Sequence, residues 1–162
     1  MKVVFSLMIM ILFASTLHAQ AELPTDKAFW HTEQTKASPS TIWAIWIDVS
    51  QWKKWDTGLQ DAMMEESFSL GAKGKITTLE GRKVSFKVVD FEEGKSYTYK
   101  TSLPLGGLYV KRSWEERDGI TYFTHRVWFK GITAGIFAKA LGGDFRKMLP
   151  DVLANIKEIA EK

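Results

Sequence analysis

The segment that decides the fold is residues 37–56, which read ASPSTIWAIWIDVSQWKKWD. It holds four of the seven tryptophans in the chain. Ser38 is suited to cap a helix N-terminus, and Pro39 fits the first helical position because its fixed φ is helical and it has no N–H to leave unpaired. Isoleucine, tryptophan and valine then recur at helical spacing. This pattern predicts a helix over residues 39–49 with one broad apolar face, followed by a short helical turn over residues 50–55.

Segments with β-strand character lie on both sides of this helical region. We predict strands at residues 28–36, 63–68, 74–79, 82–91, 96–103, 108–116 and 120–130. Short glycine-containing links separate the last six strands, so consecutive strands should pair antiparallel as a meander. Apolar and polar side chains alternate clearly in residues 84–88, which indicates one buried face and one solvated face.

The chain ends in a long segment, residues 133–161, whose apolar side chains form a stripe at helical period. Gly142, Gly143 and Pro150 interrupt it. Glycine costs about 1 kcal/mol and proline about 3 kcal/mol in a helix interior, so we expect this helix to be bent or split there. A seven-stranded antiparallel sheet with helices on one side must curl, because strand twist accumulates and the apolar face needs covering. A cavity between sheet and helix is the expected consequence.

The order of these elements, together with residues 37–56, resembles the SRPBCC superfamily. That group includes polyketide cyclase/dehydrase-like proteins, lipid-transfer START domains and birch-pollen-allergen-like proteins. Residues 121–127 (TYFTHRV) and 149–157 (LPDVLANIK) are also similar to the superfamily's last strand region and C-terminal helix. The resemblance implies an α+β helix-grip fold: a curved seven-stranded antiparallel sheet wrapped around the C-terminal helix, with two short helices after the first strand.

The resemblance also implies where the tryptophans of residues 37–56 lie in the fold. It implies that Trp43 and Trp46 lie on a helix closing one end of the grip, and that Trp52 and Trp55 pack the connecting turn onto the sheet. Independently, a tryptophan stripe interleaved with isoleucine at helical period is typical of core packing, because tryptophan is highly buried on average. Lining of a cavity is the second interpretation. Membrane contact is the third, and it lacks the basic face that such a helix would need.

Strand alternation gives a set of residues on the concave face that could line an apolar pocket. From the strands these are Val84, Phe86, Val88, Tyr97, Tyr99, Val110, Arg112, Trp114, Phe123 and His125, and from the long helix Phe137, Leu141 and Phe145. The face of the last strand is ambiguous, since the alternate set of residues 122, 124, 126 and 128 also carries aromatic rings and a cation. The composition of residues 104–107 permits a mobile lid.

Arg112 lies between Val110 and Trp114 on a face that should be apolar. A buried guanidinium needs a partner, and a ligand carboxylate or phosphate could supply one in bidentate geometry. We favour a structural interpretation at this point, because buried charges are usually paired within the protein. Arg112 would then pair with an internal Asp or Glu, or lie at the rim with its stem on Trp114.

Catalysis is the alternative use of the same face. His125 could act as a general base in a cyclase-like reaction, with Arg112 and Tyr97 or Tyr99 as polarising or acid–base groups. A hydrogen-bonded structural role is commoner for a strand histidine. The chain has no cysteine, and the few histidines make a transition-metal site unfavourable. No phosphate-binding loop or dinucleotide fingerprint is present in the sequence, so we expect no cofactor.

The first residues have the pattern of a secretory signal peptide: Lys2, an apolar run over residues 3–17, and cleavage near Ala19 or Ala21. The run is shorter than the roughly 20 residues that span a bilayer. Residues 22–162 would then form one domain in the periplasm or outside the cell. Removing Lys2 leaves 22 − 1 = 21 basic against 19 acidic residues. This balance gives no net field for nucleic acid, and we expect no stable membrane insertion after cleavage.

From the resemblance and the expected cavity, we predict an exported protein that binds a hydrophobic or amphipathic small molecule, such as a lipid or a polyketide-like compound. A cyclase or dehydratase acting on an aromatic or polyketide-like substrate is the alternative. A module that binds a macromolecular partner and no ligand is the third hypothesis.

Overall fold

Our computed structural model of the protein describes residues 23–162. The predicted signal peptide at residues 1–21 lies outside the described residues. The elements follow in the order β1 (Ala28–Thr35), α1 (Pro39–Ile47), a 3₁₀ helix (Val49–Lys54), β2 (Leu59–Met64), β3 (Lys73–Thr78), β4 (Lys83–Glu92), β5 (Ser96–Leu103), β6 (Gly106–Arg117), β7 (Ile120–Gly131) and α2 (Ala134–Ala160).

The start of α1 is built as the sequence predicts. Ser38 Oγ accepts a hydrogen bond from the backbone N–H of Thr41 at 3.2 Å, and Pro39 occupies the first helical position. This cap satisfies one of the backbone donors that a helix N-terminus leaves without a partner. Ile42 and Trp46, one turn apart, are the fully buried side chains of α1.

The strands form one seven-stranded antiparallel sheet in the order β1-β7-β6-β5-β4-β3-β2. The expected meander from β2 to β7 is confirmed, and β1 closes the order by pairing with β7. The sheet curls, and α2 packs chiefly against β1 and β7, while the 3₁₀ helix packs against β2. The α+β helix-grip fold expected from the sequence is therefore confirmed.

Register settles the ambiguous face of β7. Thr121, Phe123, His125, Val127 and Phe129 are buried on the concave side, while the alternate residues are only half-buried on the convex side. Opposite them, β6 turns its even-numbered residues inward: Arg112 pairs with His125 and Val110 with Val127.

One predicted strand is displaced, and one expected interruption of a helix is absent. The strand expected at residues 63–68 lies at Leu59–Met64, because the buried positions Leu59 and Ala62 pair with β3 while the chain leaves the sheet at Glu65. Of the bend or split expected in the long helix, only the split is contradicted, since α2 is continuous through Gly142, Gly143 and Pro150. Packing offsets the free-energy cost of glycine and proline in the helix, since Leu149, Val152 and Leu153 beside the proline are buried.

No helix among residues 23–162 is long and apolar enough to cross a bilayer.

Candidate functional site

Arg112 lies at the centre of the concave face and is 1% exposed. It is not at the rim, and no carboxylate among residues 23–162 lies within ion-pair distance of its guanidinium. The structure thus shows neither of the two arrangements that the sequence favoured. Because a buried charge without a directly bound carboxylate is costly, the surroundings of this guanidinium need an explanation.

Aromatic rings surround the cation. The guanidinium carbon lies 4.2 Å from the ring centroid of Trp52 and 4.6 Å from that of Trp55. The rings of Tyr99 and Tyr97 lie further away, at 5.4 and 5.6 Å. Such contacts attract a desolvated cation to the negative face of each ring. We call Arg112, Trp52, Trp55, Tyr97 and Tyr99 the arginine cage.

The local sequence explains how two of these rings reach the same cation. The 3₁₀ helix has three residues per turn, so side chains three apart, such as those of Trp52 and Trp55, lie on the same side. Trp52 is fixed by a 2.9 Å hydrogen bond from its indole Nε1 to the carbonyl of Trp46. The side-chain amide of Asn155 on α2 donates to the carbonyl of Trp55 at 3.2 Å. Elements from both sides of the grip therefore hold the cage.

Tyr97 connects the cation to α1. Its hydroxyl accepts a 2.5 Å hydrogen bond from Arg112 Nη1 and donates to the carbonyl of Trp46 at 3.1 Å. That carbonyl belongs to the last turn of α1, where helix carbonyls have no helical partner. Burial raises the pKa of Tyr97 to about 12 against the opposing effect of Arg112, and burial likewise raises the pKa of Tyr99. Both phenols stay neutral at physiological pH.

Asp56 is a member of the site that sequence reasoning missed. Its Oδ1 accepts a hydrogen bond from the backbone N–H of Gly58 at 3.0 Å. Burial raises the pKa of this carboxyl, and the nearby Arg112 charge opposes that rise without cancelling it. Its position directly after Trp55, in a segment with a buried helical face, is the signal that could have drawn attention to it.

Four buried polar atoms around the cage have no hydrogen-bond partner in the part of the chain that the structure describes. They are Arg112 Nε, His125 Nε2, and the indole Nε1 atoms of Trp46 and Trp55. The His125 ring lies 5.7 Å from Trp46 and 6.0 Å from Trp55, centroid to centroid. Burial lowers the pKa of His125 well below its usual value, with Arg112 adding to the effect, so the imidazole is neutral.

The chemistry of this group is that of an acceptor-binding site. The arginine and indole nitrogens can only donate hydrogen bonds, whereas a neutral imidazole can donate or accept. A buried donor without an acceptor carries a desolvation cost of about 1–3 kcal/mol. A carboxylate, phosphate or carbonyl oxygen brought among these atoms would remove that cost. No group of three or more possible metal ligands exists among residues 23–162.

The predicted lining residues separate into two groups. Those that are buried and packed into one layer beneath α1 and the 3₁₀ helix are Phe86, Val88, Tyr97, Tyr99, Val110, Arg112, Phe123 and His125. Trp52 stacks on Phe86 at 5.3 Å, and Phe86 lies 5.1 Å from Tyr99. The aromatic rings therefore fill this half of the grip, and the cavity expected there from the sequence is wrong, because the protein's own buried side chains occupy the space. Trp43, also half-buried, contacts the same layer through Tyr97 at 6.0 Å.

The other predicted residues are only half-buried: Val84, Trp114, Phe137, Leu141 and Phe145. Trp114 lies apart from the rest, with its indole donating to the Gly94 carbonyl at 2.7 Å. The three α2 residues are spaced four apart and so form one stripe along the N-terminal half of the helix. Surface pockets of about 310 to 620 Å³ occur among the described residues, and two of them reach Phe86 and Trp55 at the edge of the aromatic layer, but none of these has Arg112 or His125 in its lining.

This stripe lies at the same end of the molecule as the β5–β6 turn. Thr133, just before α2, donates from Oγ1 to the Pro104 carbonyl at 2.5 Å. The backbone N–H of Ile132 donates to the Leu105 carbonyl at 3.0 Å. Leu103, on the concave face of β5 beside this turn, is also half-buried. Incompletely covered apolar side chains of sheet and helix therefore mark this end of the grip, opposite the aromatic layer.

The curled sheet, the long helix beside it and the buried polar centre define a helix-grip protein of the SRPBCC superfamily. More narrowly, the chain belongs to the polyketide cyclase/dehydrase and lipid transport family, whose sequence profile matches residues 29–161.

Solved structures share this fold at low sequence identity. A hypothetical protein from Helicobacter pylori is 13% identical with a TM-score of 0.69, covering 97% of this chain and 99% of that one. A protein from Arthrobacter aurescens is 18% identical with a TM-score of 0.64, covering 84% and 87%. Ara h 8.0201 is 16% identical with a TM-score of 0.64, covering 82% and 96%. Comparison with curated proteins found no significant match.

Proposed function

We propose that this protein is an exported carrier for an amphipathic small molecule that has an apolar body and an acceptor-rich polar end. The observation that carries the proposal is the buried Arg112 guanidinium, which has no carboxylate within ion-pair distance among residues 23–162 and lies among three other unpartnered polar atoms. Family membership supports the same class, since the family is described by polyketide cyclase/dehydrase activity and lipid transport.

The apolar body of the ligand would lie against the half-exposed stripe of α2 and Leu103. From Leu103 to Tyr97 there are six residues of β5, or about 20 Å of strand. That length matches an extended acyl chain or a fused-ring compound whose polar end points toward Arg112. Because the rings of Trp52 and Trp55 cover the guanidinium, the polar end reaches it by displacing one of these rings. Ligand binding should therefore change tryptophan fluorescence.

The test compares a long-chain fatty acid with the alcohol of the same chain length. Native mass spectrometry of the protein from its own host should first reveal a co-purifying apolar molecule. In titrations, the fatty acid should bind at least tenfold more tightly than the alcohol, and Arg112→Met should remove the difference while keeping the alcohol affinity. Failure to bind either compound, with no co-purifying molecule, would contradict the proposal.

A second candidate function is catalysis, favoured by the neutral His125 imidazole with its unpartnered Nε2 beside Arg112. Such a nitrogen could take a proton from a carbon next to a ligand carbonyl that Arg112 polarises. His125→Asn separates the two functions. If the protein is a carrier, the original protein and the variant both bind the ligand equally well and neither forms product. If it is an enzyme, the variant loses turnover.

A further inference from the structure

An exposed apolar surface lies at the end of the molecule where the β5–β6 turn meets the start of α2. Leu105, Ile132 and Ile136 are 72%, 88% and 69% exposed. The first two residues are joined by the backbone hydrogen bond from Ile132 to Leu105, and Ile136 follows one turn into α2. We call these three side chains the apolar tip. Exposed aliphatic side chains that lie together, unlike scattered ones, are a feature of interaction sites.

The backbone at Leu105 adds an independent observation. Its φ is +55°, in the left-handed region that residues with a Cβ disfavour. Glycine or asparagine would suit this turn position better than leucine. Neither burial nor backbone conformation therefore accounts for a leucine here.

The charged side chains in the segments next to the apolar tip are positive. Residues 100–109 and 127–139, which lie toward this end, contain no Asp or Glu. Lys100 and Lys130 flank the ring of Tyr109 at 5.7 and 5.8 Å, and Lys139 is exposed one turn after Ile136. The side chain of Lys27 lies against the first turn of α2 next to Gly135. The neighbouring Asp26 is paired with Arg146 at 3.2 Å.

Aromatic side chains lie behind this basic collar on the convex face. Tyr109 stacks on Trp128 at 5.3 Å, and both are half-buried. Tyrosine and tryptophan are enriched at the level of lipid headgroups, where an amphipathic ring has both an apolar and a wet side. Protruding aliphatic side chains, lysines around them and aromatic rings behind them are the three components of a surface that binds anionic bilayers.

We propose that the apolar tip and its collar of Lys27, Lys100, Lys130 and Lys139 dock reversibly on the surface of an anionic phospholipid bilayer. Charge complementarity favours this occupant over an uncharged apolar partner. Basic and acidic residues nearly balance over the whole chain, so the net charge does not reveal this local excess of lysine. Docking is peripheral and needs no spanning helix. It would place the half-covered end of the grip, with Phe137 and Leu103, against the lipid from which an amphipathic ligand is collected.

The test is co-sedimentation of the purified protein with vesicles of pure phosphatidylcholine and of phosphatidylcholine with about one-third phosphatidylglycerol. We expect binding to the anionic vesicles, and at least tenfold weaker binding to neutral vesicles or in half-molar salt, because screening weakens exposed charges. The double charge reversal Lys130→Glu/Lys139→Glu should abolish binding. The matched control Lys73→Glu/Lys87→Glu, on the exposed face of β3 and β4, should leave it unchanged.

Leu105→Gly supplies a variant that cannot fail through misfolding of the turn, because glycine adopts positive φ readily. It should fold at least as well as the original protein and bind anionic vesicles at least threefold more weakly, whereas Leu70→Gly at another exposed leucine should not. No binding to either kind of vesicle overturns the proposal, as does equal loss in the control variants. Capture of a protein partner through the tip in place of vesicles also overturns it. None of these results depends on whether the grip holds a ligand.

Discussion

The hydroxyl of Tyr97 accepts a hydrogen bond from the guanidinium of Arg112 at 2.5 Å while donating its own proton to the end of α1. One side chain of β5 thus links the buried cation of β6 to the helix that covers the sheet. A hydroxyl oxygen can accept a second hydrogen bond, yet none of the four unpartnered nitrogens around the cage donates to it. The remaining nitrogen atoms stay available for an acceptor from outside the chain.

Arg112 is expected to serve binding more than stability. Arg112→Met removes the desolvation cost of the buried charge and keeps much of the side-chain volume. It also removes the donor to the Tyr97 hydroxyl and the positive charge that lowers the pKa of Asp56. We therefore expect the free energy of unfolding, measured by urea denaturation, to fall by clearly less than it does in a variant that leaves a cavity.

Arg112→Ala is the matched comparison, since it also removes the charge but leaves a cavity. It should lower the free energy of unfolding by about 2–5 kcal/mol. If Arg112→Met destabilises the protein as much as Arg112→Ala, then the contacts of the cation with Trp52 and Trp55 hold the core together, and the cage is structural.

Tyr97→Phe tests the link between the cation and α1. The change removes one hydroxyl, leaving Arg112 Nη1 without its acceptor and the Trp46 carbonyl with only the indole of Trp52. Loss of a partner for buried groups costs about 1–3 kcal/mol. Tyr122→Phe, on the half-buried convex face, is the control and should change stability by less than about 0.5 kcal/mol. Equal effects of the two substitutions would show that the buried link contributes nothing.

His125 should make the protein less stable in mild acid. Burial and Arg112 lower the folded pKa of the imidazole, while in the unfolded chain it is about 6.5. Between the two values the unfolded state binds more protons, so the free energy of unfolding falls as pH decreases below about 6.5. Urea denaturation at pH 7.5, 6.5 and 5.5 measures this slope. His125→Asn should flatten it, and an unchanged slope in that variant would assign the effect to other groups.

The contribution of Asp56 to the pH dependence of stability should have the opposite sign to that of His125. Its folded pKa is raised chiefly by burial, so at neutral pH the ionised carboxylate disfavours folding relative to the unfolded chain. Asp56→Asn keeps an oxygen for the Gly58 N–H and should raise the free energy of unfolding at pH 7. The gain should shrink as pH falls through the raised pKa toward about 4.

Asp61→Asn is the control for Asp56. Lys53 lowers the pKa of Asp61 through a 2.9 Å hydrogen bond on the protein surface. The ionised form is therefore the one that the folded state favours, and its replacement should not stabilise the protein at pH 7. If both substitutions stabilise the protein, the cause would be the change in net charge and not the burial of Asp56.

The sequence predicted the fold because each element is locally encoded. The cap at Ser38, the helical spacing in α1 and the glycine-containing links between strands agree with one another. Alternation also placed Arg112 on the concave side before its neighbours were known. The face of β7 stayed open, because both of its alternate sets carry aromatic rings and a cation, and only pairing with β6 distinguishes them.

The arginine cage could not be derived in the same way. Trp52 and Trp55 lie about 60 positions from Arg112 along the chain, and nothing local to either segment encodes their contact. From the sequence, the cation is expected either to pair with an internal carboxylate or to lie at the rim on Trp114. Here aromatic rings contact it directly, an outcome that depends on how the 3₁₀ helix packs on the sheet.

The uninterrupted course of α2 gives a last prediction. A Cβ at Gly143 would meet no atom within 4 Å, whereas one at Gly142 would lie 3.5 Å from the Asp26 carbonyl and 3.6 Å from the Phe29 ring. Alanine is favoured over glycine in a helix interior by about 1 kcal/mol. Gly143→Ala should therefore raise the free energy of unfolding by about that amount. Gly142→Ala should raise it by no more, since its Cβ must fit against β1.

Gly131→Ala provides the contrast, because its φ is +102° and a Cβ there would lie 2.4 Å from the Leu105 carbonyl. That substitution should destabilise the protein, whereas the helical ones stabilise it, in thermal unfolding followed by circular dichroism. Should Gly143→Ala lower the melting temperature, the glycine pair would be a site where α2 must bend. The sequence-based expectation of an interrupted helix would then hold for the protein in solution, and the stripe from Phe137 to Phe145 could move relative to the sheet.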